Sequence, residues 1–280
     1  MSATSHFFNT GELQLHYLQW GEPNGIPVVM LHGLRGFGAT WEALAKALGP
    51  AYCCYALDQR GRGKSDWGPV EDYHTGTYVA DLLSFVDHLE LKDFILVGHS
   101  LGGTNALEFT RMYPERIKAL VIEDIGPGSS NRGDGAARIR REMKETPLRF
   151  SSWEEAKNFW QNSRSNLTED ALAARLKYSL CEKDGQICWT HDQQGIAQAR
   201  LSIEPIDLWP AVKSIECPTL LVKGGDSDFL PTETVKEVMA MNKNFQAVEV
   251  AHASHYAHDD QPEVFNQAVC SFISSIQTGK

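Results

Sequence analysis

Short apolar runs alternate with helix-patterned segments along most of the chain. Nearly continuous hydrophobic runs are typical of parallel strands that are buried on both faces. A stretch near the N-terminus, residues 13–20, alternates more and is predicted as an edge strand of a hairpin. The pattern therefore predicts an α/β fold, with a doubly wound, mostly parallel sheet and helices on its faces. The predicted buried strands are residues 27–31, 52–57, 94–97, 119–122, 219–222 and 246–250.

Two segments between the strands carry apolar residues at the spacing of a helix. The first lies at residues 79–89, and the second follows Gln261-Pro262, a typical helix start. Both stripes are interpreted as core faces of helices. Their apolar positions are Val79, Leu82, Leu83, Val86 and Leu89 in the first, and Val264, Phe265, Ala268 and Phe272 in the second.

The alternation is interrupted between residues 128 and 209. This region has no convincing strand and is helical in pattern, rich in charged and aromatic residues. Turn-forming residues, GPGSSNRGDG, open it, and LWPAVKSIECP closes it. We therefore expect residues 128–209 to form a helical cap inserted into a core made of residues 1–127 and 210–280.

Composition narrows the class of protein. Of 280 residues, 42% are hydrophobic and 22% charged, which favours a folded chain over a disordered one. The net charge of −10 argues against nucleic acid as a partner. There is no recognisable signal peptide and no apolar run long enough for a membrane span, so a cytoplasmic location, a small-molecule substrate and no membrane partner are expected. The oligomeric state stays open.

The six cysteines are widely spread, except for the adjacent Cys53 and Cys54 in a predicted buried strand. Without a signal peptide they are interpreted as reduced core thiols. A metal site at Cys181, Cys188 and His191 is the less favoured alternative, because the six-residue gap between the two cysteines is not a usual zinc spacing.

The most informative stretch is FILVGHSLGGTNALEF, residues 94–109. An apolar strand runs into Gly98-His99-Ser100-Leu101-Gly102 and a helix follows, which is the context of a nucleophilic serine at a strained strand-to-helix turn. The backbone N–H of Leu101 would then stabilise the oxyanion of an intermediate. A second N–H, that of Leu34, is expected from the loop in PVVMLHGLRGFG, where His32 braces the backbone.

AHASHYAHDD, residues 251–260, offers either a metal site or a catalytic base. A metal would take His252, His255, His258 and Asp259. Three-residue spacing gathers ligands on one face only in a helix, and this segment lacks a helix start before Gln261. One histidine acting as general base on Ser100 is the favoured hypothesis, with no metal and no cofactor.

Taken together, the motifs resemble the α/β-hydrolase superfamily. The resemblance rests on HGLRG at 32–36, DQRGRGKS at 58–65, GHSLGG at 98–103, GGDSDFLP at 224–231 and ASHYAHDDQPEVF at 253–265. It implies an eight-stranded sheet, a cap inserted after the sixth strand, and a site between cap and sheet.

The resemblance also implies a catalytic triad in the order serine, acid, histidine. Ser100 and His255 match the family's nucleophile and base. The glycine-x-x-aspartate pattern selects Asp228 as the acid, while Asp124 occupies the position where some relatives carry it instead. The glycine-rich segment DQRGRGKSD matches a structural loop of the family, braced by Asp58 and Arg60, rather than a phosphate site.

The expected reaction is hydrolysis of a small carboxylic ester or lactone through an acyl-enzyme. Phe37, Trp153, Trp160 and Tyr256 are candidate substrate-binding residues. Alternatives are an amidase or carbon–carbon bond hydrolase acting on a carboxylate-bearing substrate, and a slow receptor of the same fold. The carbon–carbon alternative ranks lower because His99 stands where those relatives typically have asparagine. A substrate carboxylate would meet one of the cap arginines Arg132, Arg138, Arg140, Arg141 and Arg149.

Overall fold

The computed structural model describes residues 1–164 and 166–278. Its strands are β1 (Thr4–Asn9), β2 (Gln14–Trp20), β3 (Ile26–Leu31), β4 (Tyr52–Leu57), β5 (Phe94–His99), β6 (Ile117–Glu123), β7 (Arg149–Phe150), β8 (Leu180–Lys183), β9 (Gln186–Trp189), β10 (Thr219–Gly224) and β11 (Phe245–Val250). Its α-helices are α1 (Glu42–Leu48), α2 (Thr75–His88), α3 (Leu101–Met112), α4 (Gly133–Glu145), α5 (Trp153–Ser163), α6 (Glu169–Tyr178), α7 (Gln193–Ser202), α8 (Trp209–Ser214), α9 (Thr232–Met241), α10 (Ala257–Asp260) and α11 (Pro262–Thr278).

Eight strands form the central sheet in the order β1-β2-β4-β3-β5-β6-β10-β11. β2 pairs antiparallel with both β1 and β4, and the remaining neighbours are parallel. The predicted eight-stranded, mostly parallel sheet is confirmed. β1 is absent from the apolar pattern of the sequence because it is an edge strand whose side chains are mostly exposed.

Alternate residues of the inner strands face two hydrophobic layers, as the twofold period of a strand requires. Val29 and Leu31 of β3 join one layer with α2, α3, α8 and α9, whereas Val28 and Met30 join the other with α1 and α11. The adjacent Cys53 and Cys54 divide in the same way. They are buried free thiols, as expected, but Cys181 is exposed on β8 and is not a core residue.

The segment between β6 and β10 carries α4–α7 and a second sheet, in the order β7-β9-β8. The expectation that this region has no strand is wrong. Its strands are two to four residues long and partly exposed, so they leave no apolar run in the sequence. They pack with α5 and α6 around a small core that includes Phe150, Trp160 and Trp189.

Other parts of the inserted region pack on the main core. Ile139 and Met143 of α4 and Ala197 of α7 belong to the same cluster as the sheet and α3. The limits at 128 and 209 therefore stay a prediction. Within the described residues, none of the helices is both long and apolar enough to cross a membrane.

Candidate active site

Ser100 lies at the sharp turn between β5 and α3. Its φ of 52° and ψ of −113° place a non-glycine residue in a strained region of backbone space. Neighbouring glycines permit this turn, since a Cβ at Gly98 would lie 2.7 Å from the backbone nitrogen of Gly103. The Ser100 N–H donates to the carbonyl of Glu123 at 3.0 Å, which ties the turn to the end of β6. The serine is thus held rigidly at the carboxyl edge of the sheet.

His255 lies beside Ser100, in the loop after β11. Its Nε2 is 2.8 Å from Ser100 Oγ, so the neutral imidazole can accept the hydroxyl proton. The ring is 3% exposed and packs on Phe229, with 4.3 Å between ring centroids. The His99 Nε2–H donates to the His255 carbonyl at 2.8 Å and fixes the backbone of the loop.

Asp124 supplies the carboxylate that meets His255. Its Oδ2 accepts from His255 Nδ1 at 2.7 Å and from the Ser227 hydroxyl at 2.5 Å, while Oδ1 accepts from the Gly224 N–H at 3.0 Å. The residue directly follows β6, is fully buried, and has a φ of 50°. These bonds fix the tautomer of His255 with its proton on Nδ1, leaving Nε2 free to accept.

The prediction that Asp228 orients His255 is corrected by this geometry. Both Asp228 oxygens accept from Arg138, from Nε and from Nη2, each at 2.8 Å. The Arg138 hydrogen bonds hold the pKa of Asp228 below its ordinary value. Asp228 is on the exposed side of its loop and faces α4, whereas Ser227 faces inward. The loop after β10, which matches the family pattern, therefore contributes Ser227, whose hydroxyl donates to Asp124.

The backbone amides predicted for the oxyanion border the same space as Ser100. Both Leu34 and Leu101 line the cavity. A Cβ at Gly33 would lie 3.4 Å from Ser100 Cβ, so the Leu34 loop approaches the serine closely. Leu101 is the first residue of α3, where the N–H has no acceptor within the helix. The oxyanion role of both amides stays a prediction.

His32 braces that loop, as the sequence indicates. Its Nδ1–H donates to the Gly33 carbonyl at 2.8 Å, and its Nε2 accepts from the Gln59 N–H at 3.1 Å. Burial lowers the pKa of His32 to about 4, so the ring is neutral at pH 7. Both ring nitrogens are occupied by structural hydrogen bonds.

The DQRGRGKSD loop is likewise structural at the two residues singled out in the sequence. Asp58 accepts from His16 at 2.7 Å and from the Gly38 N–H at 2.5 Å. Burial alone would raise the pKa of Asp58, but the hydrogen bond and charge of His16 hold it below its ordinary value. Arg60 forms two hydrogen bonds with Asp81, at 2.6 and 2.7 Å.

A cavity of about 240 Å³ opens above Ser100, between the sheet and the inserted region. Of the four predicted substrate-binding residues, Trp160 and Tyr256 line it. Trp153 is 43% exposed at the start of α5, and Phe37 is buried against Tyr178. Neither is among the described residues that line the cavity. Other apolar and aromatic lining side chains are Leu34, Tyr73, Tyr78, Leu101, Ile139, Ile196, Ile203, Pro205, Ile206 and Phe229.

Four arginines line this cavity, and none of them is among the cap arginines predicted from the sequence. They are Arg35, Arg62, Arg175 and Arg200. The predicted arginines form a basic run on and around α4 that is mostly exposed to solvent. Arg62 belongs to the DQRGRGKSD motif, which is interpreted from the sequence as a structural loop. Nothing in the sequence pattern indicates that Arg62 lines the cavity.

The histidine-rich segment does not gather into the metal site considered from the sequence. His252 is exposed, and His255 is bonded to Asp124 and Ser100. A different set, His99, Glu123 and His258, brings ligand-type atoms within 4.8 Å of one another, among the residues described. His258 Nδ1 is 2.8 Å from Glu123 and His99 Nε2 donates to a carbonyl, so a metal would have to replace these hydrogen bonds.

The same segment is bonded to the inserted region by a buried ionic cluster. Asp259 Oδ2 accepts from Arg164 at 2.7 Å and from Arg175 at 2.5 Å, and Asp260 accepts from Arg164 at 2.8 Å. Burial would raise the pKa of Asp259, but the charges of His258 and both arginines hold it well below its ordinary value. The guanidinium of Arg164 also stacks on Tyr256, 3.8 Å from the ring centroid.

Known proteins resemble this chain over nearly its full length. A Bacillus subtilis (strain 168) protein, provisionally named 2-succinyl-6-hydroxy-2,4-cyclohexadiene-1-carboxylate synthase, is 31% identical over 257 residues, covering 89% of this chain and 90% of that one. The 2-(acetamidomethylene)succinate hydrolase of Mesorhizobium japonicum is 25% identical, covering 98% of both. A crystal structure of E-2-(acetamidomethylene)succinate hydrolase superimposes with a TM-score of 0.88 at 25% identity, over 98% of this chain and 100% of that one.

A family model also matches most of this chain. The model described as the alpha/beta hydrolase family matches residues 28–268, a range that includes Ser100, Asp124 and His255. Together with the eight-stranded sheet and the relative at 31% identity, this match shows that the chain belongs to the alpha/beta hydrolase family, and that it is a hydrolase by kinship.

Proposed function

We propose that this chain hydrolyses a small carboxylic ester or lactone through an acyl-enzyme on Ser100. The observation that carries the proposal is the unbroken hydrogen-bond chain from Ser100 Oγ through His255 to Asp124, opening on the cavity. A serine hydroxyl alone is a poor nucleophile, and this arrangement supplies the base it needs.

In the proposed reaction, Ser100 Oγ attacks the carbonyl carbon while His255 Nε2 takes the hydroxyl proton. Asp124 stabilises the imidazolium through its hydrogen bond with Nδ1. The Leu34 and Leu101 N–H groups donate to the oxyanion. Collapse of the tetrahedral intermediate breaks the bond to the alcohol oxygen, which receives the proton from Nε2. Water, deprotonated by His255, then releases the acid and restores Ser100.

An amide substrate is the second candidate, and a specific relative favours it. The M. japonicum protein and the matching crystal structure are both named for hydrolysis of an acetamidomethylene succinate, an amide that bears two carboxylates. The same triad can perform amide cleavage, provided that His255 protonates the leaving nitrogen.

The first prediction tests the nucleophile. Ser100→Ala removes the attacking oxygen, so we expect hydrolysis of p-nitrophenyl acetate and butyrate to fall by about 10⁴-fold or more. Ser163→Ala, an exposed serine of α5, serves as the matched control and should keep wild-type rates. Each protein is assayed with and without EDTA, and a panel of N-acyl substrates is assayed in parallel to separate esterase from amidase activity.

Three outcomes would contradict the proposal. Retention of activity in Ser100→Ala would exclude the acyl-enzyme. Loss of wild-type activity with EDTA would instead direct attention to His99, Glu123 and His258 as metal ligands. A wild-type turnover far below one per second on every ester and amide tested would favour a ligand receptor of this fold.

A further inference from the structure

Arg62 differs from the other arginines around the cavity because its charge is buried without a carboxylate partner. The residue is 0% exposed. Arg35 is paired with Glu142 and Arg175 with Asp259, each at 2.5 Å. Among the described residues Arg200 also lacks a carboxylate partner, but it is only half-buried and donates to the Ser130 carbonyl. Over the described part of the chain, Arg62 has no carboxylate within salt-bridge distance.

The hydrogen bonds of Arg62 hold the guanidinium in place but do not neutralise it. Nε donates to the Leu34 carbonyl at 3.0 Å, and Nη1 donates to the Arg60 carbonyl at 2.8 Å and to the Tyr78 hydroxyl at 2.5 Å. Nη2 makes no recorded hydrogen bond to the described residues. Arg62 forms part of the cavity wall, and its Nη2 is not among the fully enclosed side-chain atoms that lack a partner, so this is the amino group that a bound molecule can reach.

The groups that Arg62 contacts directly are uncharged, and the carboxylates of the same region, Asp58, Asp81 and Asp192, are bonded to His16, Arg60 and Tyr73 instead. Burial lowers the pKa of both His32, to about 4, and His191, to about 3, and the charge of Arg62 contributes to both shifts. Tyr73 and Tyr78 present their rings to the guanidinium at 5.4 and 5.2 Å. Burial raises the pKa of Tyr78 despite the nearby cation, so its hydroxyl is neutral at pH 7.

A fully buried cation is costly unless an anion compensates it. In a cavity that must also admit a substrate, the anion with the best match is a carboxylate, because a guanidinium binds its planar oxygens strongly and directionally. The Nε bond to the Leu34 carbonyl locates this charge next to the amide expected to hold the oxyanion. A bound carboxylate would therefore lie within a few covalent bonds of the scissile carbonyl.

We propose that Arg62 is a substrate-binding residue that recognises a carboxylate group of the substrate. The proposal rests on the proposed function, since the ligand must occupy the cavity above Ser100, and it narrows that function to substrates with a free carboxylate near the scissile bond. It also moves recognition from the exposed cap arginines to the loop after β4.

The role of Arg62 in the loop after β4 can be tested by binding measurements that do not require turnover. Succinate and glutarate are titrated calorimetrically into the protein at pH 7, and each is compared with its monoamide, succinamate or glutaramate. Each monoamide keeps the shape of the diacid but has only one carboxylate. Because one charge remains, the uncharged amides butanamide and pentanamide are included as references without any carboxylate. We expect the carboxylates to bind at least tenfold tighter than the uncharged amides, as a charge-assisted hydrogen bond provides.

Arg62→Met should reduce that preference to less than about threefold, whereas Arg62→Lys should retain part of it because the charge remains. Arg141→Met, an exposed arginine of α4, removes the same charge far from the cavity lining and should keep the full preference. Thermal unfolding of each variant verifies folding. If Arg62→Met fails to fold, the wild type and Arg62→Lys still decide the matter, since only a binding role predicts a graded loss.

The proposal is overturned if wild type binds carboxylates and uncharged amides equally, if it binds none of them, or if the Arg62 variants keep the preference. A merely structural Arg62 would lower the rate on neutral p-nitrophenyl butyrate without changing relative affinities. Because binding is measured without catalysis, this failure is distinguishable from failure of the Ser100 mechanism, which the Ser100→Ala assay tests separately.

Discussion

At the level of single residues, Asp124 is the carboxylate bonded to His255, and we propose that it orients the imidazole. Its two oxygens accept three hydrogen bonds, from His255, Ser227 and Gly224. Its neighbour Glu123 turns the other way and bonds His258, three residues after His255. Two consecutive carboxylates of β6 and its end therefore hold two histidines of one loop, and only one of the two histidines reaches the serine.

The second prediction separates Asp124 from Asp228. Asp124→Asn keeps the shape of the side chain but removes the charge that stabilises the His255 imidazolium, so kcat should fall by about 10⁴-fold. Asp228→Asn breaks only the bonds to Arg138 and should change kcat less than tenfold. Ester hydrolysis by the two variants, each a single carboxylate-to-amide change, provides the comparison.

Equal losses in the two variants would contradict the assignment of the acid to Asp124. So would a larger loss in Asp228→Asn. Folding of both proteins is verified by their thermal unfolding, because Asp124 is fully buried and Asp228 is not.

The sequence indicated Ser100 and His255 but favoured Asp228 over Asp124 as the acid. There is a physical reason why the sequence does not decide between the two aspartates. Ser100 and His255 each stand in a local context, a strand-to-helix turn and a loop after the last strand, that indicates their position. The acid can follow either of two adjacent parallel strands, β6 or β10, because both end at the same edge beside His255. Which side chain turns inward depends on backbone torsion, including the positive φ of Asp124.

At the scale of elements, the turn from β5 to α3 is set by how closely backbones approach. Gly102 packs against the end of β3, where a Cβ would lie 2.8 Å from the His32 carbonyl oxygen and still closer to that of Leu31. These are backbone atoms, which cannot move aside as a flexible side chain can. The glycine is therefore required by the packing of the start of α3 on the end of β3 and the loop that follows it.

The third prediction follows from this contact. Gly102→Ala should destabilise the fold by about 1–3 kcal/mol, as overpacking does, and should lower ester hydrolysis because Ser100 and the Leu34 loop are pushed apart. Gly76→Ala is the control, since it is exposed in the first turn of α2 and a Cβ there meets only the His74 ring. Urea unfolding of both variants gives the comparison, and unchanged stability in Gly102→Ala would refute it.

Elements that were missed from the sequence share one property. β1 and the strands of the small sheet, β7–β9, are short or exposed, and they are held by hydrogen bonds to neighbouring strands rather than by burial of apolar side chains. Strands buried on both faces must be apolar throughout, so they were found. Pairing between distant segments leaves no comparable mark on a single sequence.

At the scale of the whole molecule, buried salt bridges connect the inserted region to the segment that follows His255. Arg164 follows α5 and Arg175 lies on α6, and both bind Asp259 in α10. All three side chains are buried, so the cluster is stable only while each charge keeps its partners. The contact joins a helix of the inserted region to a residue four positions after His255, the proposed base.

The fourth prediction measures that contact. Asp259→Asn leaves two buried guanidinium groups without their shared carboxylate, and the free energy of unfolding should fall by about 3–5 kcal/mol. Asp93→Asn removes the same charge from an exposed pair with Lys118 and should cost less than about 1 kcal/mol. Urea unfolding of both variants checks this, and equal losses would show that the buried cluster adds nothing beyond a surface pair.

The ionic cluster also constrains how a chain of this kind can diverge. Cavity-lining residues of the inserted region that take no part in this cluster, such as Ile203 and Ile206, can be exchanged one at a time without leaving a buried charge unpaired. Arg164, Arg175, Asp259 and Asp260 are coupled, since replacing any one of them removes a partner of a buried charge on the other side of the contact. An inserted region grafted onto this core from another protein would therefore have to bring cations that match Asp259 and Asp260.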